Sequence, residues 1–175
     1  MKLTEKSWGI IGLGTIGRRV ADIAKAFGAH VIYYSASGSP AQEGYEQVDF
    51  ETLLATSDIV SVHAPLNEYT KDLMDREAFE KMKKTAIFLN LGRGPIVVEQ
   101  DLYEALETGE IAAAGLDVLC EEPMSETNPL AKIKDSKRLY YYSAHCMGEC
   151  RSKKPIDADY RRTDQGIFIN LLQTF

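Results

Sequence analysis

Short apolar runs alternate with amphipathic stretches along the chain, which is the pattern of β-α-β units in a parallel sheet. The apolar runs predict strands at residues 7–11, 30–34, 59–62, 85–90, 112–118 and 139–143. Helical spacing predicts a first helix that carries Ile16 and Phe27 and ends at Gly28, and further helices around 50–56, 76–82 and 99–108. The crossovers are short, so we expect a right-handed, mostly parallel, doubly wound α/β sheet in a single domain.

Composition narrows the partners of this domain. The 175 residues contain 20 Lys and Arg against 26 Asp and Glu, which gives a net charge of −6. That balance argues against the broad basic surface of a nucleic-acid binder. Apolar residues make up 45 % and charged residues 26 %, which is typical of a globular protein. No apolar window approaches the ~18 residues of a membrane span, so we expect a soluble protein with neither a membrane nor a nucleic-acid partner.

The N-terminal residues and the cysteines bear on the cellular location of the protein. Residues 1–12 contain no apolar segment followed by a cleavage site, so nothing marks export. The three cysteines, Cys120, Cys146 and Cys150, form no even disulfide framework and suit a reducing compartment. We therefore expect a cytoplasmic location.

A glycine motif between the first predicted strand and helix carries the clearest chemical signal. It reads Gly12-Leu-Gly14-Thr15-Ile16-Gly17, and its place between a strand and a helix is that of a dinucleotide fingerprint in a Rossmann-type sheet. Gly12 would form the tight turn, Gly14 would admit a pyrophosphate, and Gly17 would let the helix pack closely. The amides of Thr15 and Ile16 would then point at the phosphates. The alternative is that the three glycines only allow the chain to turn and bind no ligand.

The end of the second predicted strand bears on which dinucleotide is bound. An acidic residue normally follows the fingerprint after ~20 positions and binds the adenosine ribose hydroxyls. Here the strand ends in Tyr-Tyr-Ser35, and no carboxylate occurs before Glu43. Residues 33–45 also lack the Arg or Lys that a 2′-phosphate would favour. The sequence therefore favours NAD, with a weaker hydrogen bond from Ser35, and leaves NADP open.

Several further motifs carry a family resemblance that runs from about Thr4 to His145. They are the glycine fingerprint, His-Ala-Pro-Leu with Thr70, Asn-Leu-Gly-Arg-Gly at 90–94, Gly-Leu-Asp-Val at 115–118 with Glu122-Pro123, and Ser-Ala-His145. In this order and spacing the chain resembles the D-isomer-specific 2-hydroxyacid dehydrogenases, and its Tyr-Tyr-Ser most resembles the glycerate dehydrogenase (hydroxypyruvate reductase) members.

The resemblance implies an NAD(P)-dependent oxidoreductase that transfers hydride between nicotinamide and a small 2-oxo or 2-hydroxy acid such as hydroxypyruvate or D-glycerate. It implies that Arg93, Glu122 and His145 are the catalytic residues and that Asp117 contacts the nicotinamide end. The family's other cofactor positions fall on Gly12, Gly14, Thr15, Ile16, Gly17, Ser35, Pro65, Thr70 and Leu91.

The chemistry of the three catalytic positions suits those implied roles. The planar fork of Arg93 could bind a 2-oxo acid carboxylate and polarise its carbonyl. His145 could give or take the proton, because an unperturbed histidine titrates near working pH. Glu122 could orient the imidazole and favour its protonated form. Each position also has a non-catalytic interpretation: Arg93 as a surface charge, Glu121 and Glu122 as a solvated acidic pair, and His145 as a residue with a purely structural role. His63 is interpreted as a strand-end residue beside the cofactor.

The chain departs from the family at both ends. Relatives are about twice as long, so we expect residues 1–145 to form the dinucleotide-binding domain of a fragment that lacks the substrate domain. Residues 146–175 fit no family pattern. If the codons of this segment are read one base later, however, they can encode the family motif after His145, and the Met147-Gly148 codons then give Trp. We therefore hypothesise an out-of-frame tail. A metal site formed by His145, Cys146 and Cys150 is the weaker alternative, since no fourth ligand has zinc-site spacing.

The sequence leaves two further functions open. One is a catalytically inactive dinucleotide-binding fragment. The other is a subunit-interaction module, because the resemblance implies that the cofactor domain carries the subunit interface of a homodimer.

Overall fold

The computed structural model of the chain describes residues 3–133, 135 and 137–141. Its strands are β1 (Ser7–Ile11), β2 (His30–Tyr34), β3 (Glu46–Gln47), β4 (Ile59–Val62), β5 (Ile87–Asn90), β6 (Ala113–Leu116) and β7 (Leu139–Tyr141). Its α-helices are α1 (Thr15–Ala26), α2 (Phe50–Thr56), α3 (Arg76–Lys81) and α4 (Glu99–Thr108). Two short 3-10 helices, Gly94–Ile96 and Pro129–Lys132, complete the described elements.

The seven strands form one sheet in the order β3-β2-β1-β4-β5-β6-β7, and every pairing in it is parallel. The chain runs outward from β1 to β3 in one direction and from β4 to β7 in the other. The strand order therefore reverses between β1 and β4, which is where open α/β sheets bind ligands. The predicted Rossmann-type, doubly wound sheet is confirmed.

The inner strands of the sheet are buried on both faces, because alternate residues enter two separate cores. On β1, Ile11 faces the core formed with α2, α3 and α4, whereas Ile10 faces the core formed with α1. On β5 the same alternation sends Phe88 to the first core and Ile87 and Leu89 to the second. This double burial explains why the strands read as continuous apolar runs.

Capping residues set where the helices begin and end. Asp49 accepts a hydrogen bond from the Thr52 amide at the start of α2, and Asp75 does the same for the Ala78 amide of α3. Gly109, with φ 77°, ends α4 in the left-handed conformation that glycine tolerates best. Gly28, with φ 85°, follows α1 in the same way, which confirms the predicted glycine stop.

The structure shortens two predicted strands, 85–90 to Ile87–Asn90 and 112–118 to Ala113–Leu116, and it shows two features that the sequence did not predict. The two-residue strand β3 was not predicted, because it is polar and exists only through its pairing with Ile32 and Tyr33 of β2. Helix α1 packs on the sheet through the small residues Gly17, Ala21 and Ala24. The larger apolar residues Ile16, Ile23 and Phe27 are 57–68 % exposed, whereas Val20 is partly buried against the same core.

No helix in the described part of the chain is long and apolar enough to cross a membrane. The proposed tail 146–175 and His145 lie outside the described residues, as do the predicted ends of β7 at 142–143.

Candidate dinucleotide site at the carboxyl edge of the sheet

The turn from β1 into α1 is shaped by three glycines with different neighbours. Gly12 has φ 92°, and a Cβ there would lie 2.7 Å from the backbone of Ala64 after β4. A Cβ on Gly17 would overlap the carbonyl oxygen of Gly12, so glycine is needed for the close approach of α1 to the turn. A Cβ on Gly14 would meet no atom within 4 Å. Gly12 and Gly17 therefore serve the fold, whereas Gly14 leaves open space in front of the helix.

The N-terminus of α1 lacks the capping groups that begin α2 and α3. Its N-cap is Gly14, which makes no side-chain cap, and its first turn contains no acidic residue. The first amides of a helix have no intrahelical acceptor, and the helix dipole adds positive potential there. Thr15 and Ile16, whose amides lie in this first turn, are exposed. Open space at Gly14 and uncapped amides behind it fit a dinucleotide pyrophosphate.

Ser35 lies beside this turn, because the Gly12 amide donates to the carbonyl of Tyr34, the last residue of β2, over 2.9 Å. The hydroxyl of Ser35 is 3.2 Å from that of Ser37, which in turn is 2.8 Å from the hydroxyl of Ser39. The three serines form a partly exposed chain of hydroxyl groups where the usual acidic residue is absent. They offer neutral hydrogen bonds to a ribose.

The loop after β4 contributes Pro65 and Thr70. Pro65 is exposed, whereas Thr70 is only 1 % exposed. The Thr70 hydroxyl donates to the carbonyl of Pro65 over 2.6 Å and accepts from the Asn67 amide over 2.9 Å. Thr70 thus closes the loop on itself and fixes where Pro65 stands.

His63 precedes that loop and is partly buried. Its Nε2 lies 3.2 Å from the Ser61 hydroxyl, and its Nδ1 is buried without a hydrogen-bond partner among the residues that the structure describes. Burial lowers the pKa of His63 to about 4. The ring is therefore neutral at physiological pH and is not a proton donor poised for catalysis.

The Arg93 loop follows β5 and is organised by Asn90, which is 1 % exposed. The Asn90 side chain accepts from the Gly92 amide and donates to the Arg93 carbonyl, each over 3.1 Å. Leu91 lies inside this turn and is half-buried. The Arg93 side chain is exposed and donates to the carbonyl of Gly92 over 2.9 Å. The guanidinium therefore reaches solvent at the carboxyl edge with most of its donors unused by protein groups described here.

Asp117 and Glu122 follow β6 beside the Arg93 loop. The Asp117 amide donates to the carbonyl of Asn90 over 3.0 Å, so Asn90 joins the ends of β5 and β6. Glu122 is exposed, and one of its carboxylate oxygens accepts from the Leu119 amide over 3.0 Å. Asp117 and Glu122 thus share one loop, and Arg93 stands on the loop next to it.

The described residues of the predicted site therefore all follow strands at one edge of the sheet. They come from the ends of β1, β2, β4, β5 and β6, on both sides of the point where the strand order reverses. His145, predicted after β7, lies outside the described residues, as does the alternative metal set of His145, Cys146 and Cys150.

Sequence reasoning gave no role to two residues that bind these loops: Asn90, which it named only within the 90–94 motif, and Glu99, whose carboxylate accepts hydrogen bonds from the Cys120 amide and the Asn128 side chain. A polar residue at the end of a fully apolar strand is the one signal that could have singled out Asn90. Glu99 reads only as an ordinary acidic residue in the first turn of a helix.

Comparison with known proteins places this geometry in a family. Residues 1–140 match the model of the D-isomer specific 2-hydroxyacid dehydrogenase, NAD binding domain. A hydroxypyruvate reductase of Blautia hydrogenotrophica is 43 % identical over 137 residues, which are 77 % of this chain and 42 % of the relative. A glyoxylate reductase of Aeropyrum pernix is 46 % identical over 138 residues, or 77 % of this chain and 41 % of the relative.

A solved structure agrees with these relatives. The D-lactate dehydrogenase of Lactobacillus jensenii, crystallised with NAD+, superposes with a TM-score of 0.72 at 35 % identity and covers 81 % of this chain and 46 % of its own. The chain belongs to the D-isomer-specific 2-hydroxyacid dehydrogenase family and contains its NAD-binding domain. It is thus an oxidoreductase by family, and it spans less than half the length of the relatives it matches.

Proposed function

We propose that this chain is the cofactor-binding part of an enzyme that reduces a small 2-oxo acid, such as glyoxylate or hydroxypyruvate, or oxidises the matching D-2-hydroxy acid. The names of the relatives support this substrate class. The observation that carries the proposal is the uncapped N-terminus of α1 at Gly14, which lies at the same sheet edge as exposed Arg93 and the Asp117–Glu122 loop.

Each residue has a separate task in this proposal. When NAD is bound, its nicotinamide supplies or accepts the hydride. Arg93 binds the substrate carboxylate through its fixed guanidinium fork and polarises the neighbouring carbonyl oxygen. His145 gives the proton that the developing alkoxide needs, or removes it in the oxidation. Glu122, held by the Leu119 amide, orients the imidazole and favours its charged form.

The cofactor contacts are divided along the sheet edge. The amides of Thr15 and Ile16 would bind the pyrophosphate past Gly14, and Ser35 would bind the adenosine ribose. Pro65, held by Thr70, and Leu91 would contact the middle of the cofactor, and Asp117 would contact its nicotinamide end. The absence of Lys and Arg from residues 33–45 favours NAD over NADP.

Two measurements with the full chain test the proposal. Titration of NADH by fluorescence reports binding, and loss of NADH absorbance with glyoxylate or hydroxypyruvate reports turnover. Binding with turnover supports an active enzyme, whereas binding alone supports a dinucleotide-binding fragment whose reaction needs further polypeptide. Failure to bind NADH at millimolar concentration would contradict the cofactor-binding role. Arg93→Lys serves as the matched variant, because it keeps the charge but loses the planar fork.

We also propose that the chain pairs with a second copy, or with a longer relative, through α1. The exposed side chains of Ile16, Ile23 and Phe27 on this helix support that proposal, because large apolar side chains in solvent favour an interface. Sedimentation of the parent and of an Ile23→Glu variant tests it. A mass that does not depend on concentration or on the substitution would contradict pairing through this face.

The proposed function also includes how the chain is divided and in which compartment it acts. Residues 1–145 form the dinucleotide-binding domain, and residues 146–175 are a segment outside the family pattern. The odd set of three cysteines supports a reducing, cytoplasmic setting.

A further inference from the structure

We propose that Glu99 is a positioning residue that holds the Asp117–Glu122 loop in its place beside Arg93. The inference rests on the proposed function, because Asp117 and Glu122 matter for the reaction only if this edge binds the cofactor and substrate. Glu99 is the first residue of α4 and is partly buried behind that loop. Nothing in its position in the sequence marks it for this role.

The two carboxylate oxygens of Glu99 bind two different parts of the chain. One accepts from the Cys120 amide over 2.8 Å, and the other accepts from the side-chain amide of Asn128 over 2.8 Å. Asn128 is 8 % exposed, and its own oxygen accepts from the Leu130 amide over 2.9 Å. Glu99 therefore ties Cys120, in the second half of the loop, to the segment that follows Glu122 and contains Asn128.

Hydrogen bonds to a carboxylate are stronger than those between neutral groups, which suits Glu99 to this task. Its carboxylate also lies at the N-terminus of α4, where the helix dipole favours negative charge. The first turn of α4 has no side-chain cap, and Glu99 directs its oxygens to the loop rather than to its own helix. The same carboxylate contributes, after burial, to raising the pKa of the Cys120 thiol to about 11.

The loop is fixed from the opposite side by close backbone packing. A Cβ on Gly94, the residue after Arg93, would overlap the carbonyl of Leu119 and the Cys120 nitrogen. The Leu119–Cys120 peptide is thus held between Gly94 and the Glu99 carboxylate. The Leu119 amide in turn donates to Glu122. A shift of this one peptide would move Glu122 relative to Arg93, so Glu99 acts on the site through the backbone.

The experiment compares Glu99→Gln with Glu107→Gln, which removes an exposed charge from the same helix. Glutamine has the shape of glutamate but only one acceptor oxygen, so at least one of the two hydrogen bonds is lost. Asn128→Asp is a second variant. It keeps the acceptor for Leu130 but sets a carboxylate against Glu99. Hydrogen exchange at the Cys120 amide, and the dissociation constants of NADH and of ADP, are measured for all four proteins.

NADH and ADP separate the two ends of the site, because ADP has the adenosine and pyrophosphate groups but no nicotinamide. In Glu99→Gln and Asn128→Asp we expect exchange at Cys120 to rise at least tenfold and NADH to bind about fivefold more weakly. ADP affinity should stay within twofold, and Glu107→Gln should match the parent throughout. A variant that merely unfolds would lose both ligands together.

Each contrary result has its own meaning. Unchanged Cys120 exchange, or NADH and ADP affinities that fall in parallel or not at all, would overturn the role of Glu99 alone. Failure of the parent to bind either ligand would contradict the proposed function, and this inference with it.

Discussion

Gly14 and Gly17 lie three residues apart in one turn, and alanine at each position separates a requirement of the fold from a requirement of binding. A Cβ on Gly17 would overlap the Gly12 carbonyl oxygen and lie 3.3 Å from the carbonyl carbon. A Cβ on Gly14 would lie in open space. We therefore expect Gly17→Ala to destabilise the domain and Gly14→Ala to weaken NADH binding without destabilising it.

The magnitude for Gly17→Ala follows from the overlap with the backbone. Carbon atoms pack at about 3.5–4.0 Å, so α1 would have to move from the turn by roughly 1 Å. Overpacking costs about 1–3 kcal/mol, and a rigid obstacle puts this case near the upper figure. The higher helix propensity of alanine stabilises the folded state by about 1 kcal/mol relative to glycine, which offsets part of this cost. The net loss of about 2 kcal/mol corresponds to a Tm lower by about 4–8 °C for a domain of this size.

The balance for Gly14→Ala is different. Gly14 has φ −78° and ψ −162°, which alanine adopts without strain. Alanine is a poorer N-cap than glycine but reduces the entropy of the unfolded chain, so stability should change by less than about 0.5 kcal/mol. A methyl group in the path of the pyrophosphate should cost at least about 1.4 kcal/mol of binding, which is a tenfold rise in the NADH dissociation constant.

Thermal unfolding followed by circular dichroism measures the first effect, and NADH fluorescence measures the second. NADH binding by Gly14→Ala at the parent's affinity would refute the assignment of the pyrophosphate to this turn. An unchanged Tm for Gly17→Ala would refute the steric account of the glycine.

Three further predictions concern separate parts of the molecule. His63, whose pKa burial lowers from 6.5 to about 4, takes up a proton on unfolding between these pH values, so its contribution to stability is present above pH 6.5 and is lost as the pH falls toward 4. Urea unfolding at pH 4.5, 5.5 and 7 should therefore show a smaller pH dependence in His63→Asn. Ser35→Asp should restore a carboxylate for the adenosine ribose and weaken NADPH relative to NADH at least tenfold in fluorescence titrations. The coding DNA should contain codons for residues 146–175 that, read one base later, give the family motif after His145.

Each of these predictions has an outcome that contradicts it. Equal slopes of stability against pH in the parent and in His63→Asn would show that the ring does not lose its proton affinity on folding. An unchanged NADPH to NADH ratio in Ser35→Asp, with Ser39→Asp as the control further along the loop, would place the ribose elsewhere. Codons that cannot encode the shifted peptide would exclude the frame hypothesis.

The sequence was sufficient for the strands that are buried on both faces, because their continuous apolar runs are easily recognised, but not for the polar strand β3. Ser7–Ile11, His30–Tyr34 and Ile59–Val62 have the predicted bounds. The apolar run at 112–118 continues past the residues that pair with the neighbouring strands, and the observed strand is the shorter Ala113–Leu116. Spacing also predicted helix α1, but not which of its sides is buried, since close packing at Gly17 selects the small residues and leaves Ile16 and Phe27 in solvent.

The candidate site divides in the same way. The positions of Gly12 and Arg93 at the sheet edge could be predicted, because a turn glycine and a charge between glycines stand out in an apolar context. The groups that hold them could not, because their roles depend on contacts between distant segments. Asn90 joins the ends of β5 and β6, and Glu99 reaches Cys120 and Asn128 across 21 and 29 residues of chain. Such contacts have no local pattern.

The hydroxyl chain that begins at Ser35 has a consequence for how this lineage can change. Ser37 and Ser39 are exposed, Ser35 is partly exposed, and their side-chain hydrogen bonds are to one another. A new side chain at Ser35 therefore leaves the cores on both faces of the sheet untouched. If Ser35 contacts the adenosine ribose as proposed, a substitution at this one partly exposed position could change the preference between NAD and NADP at almost constant stability.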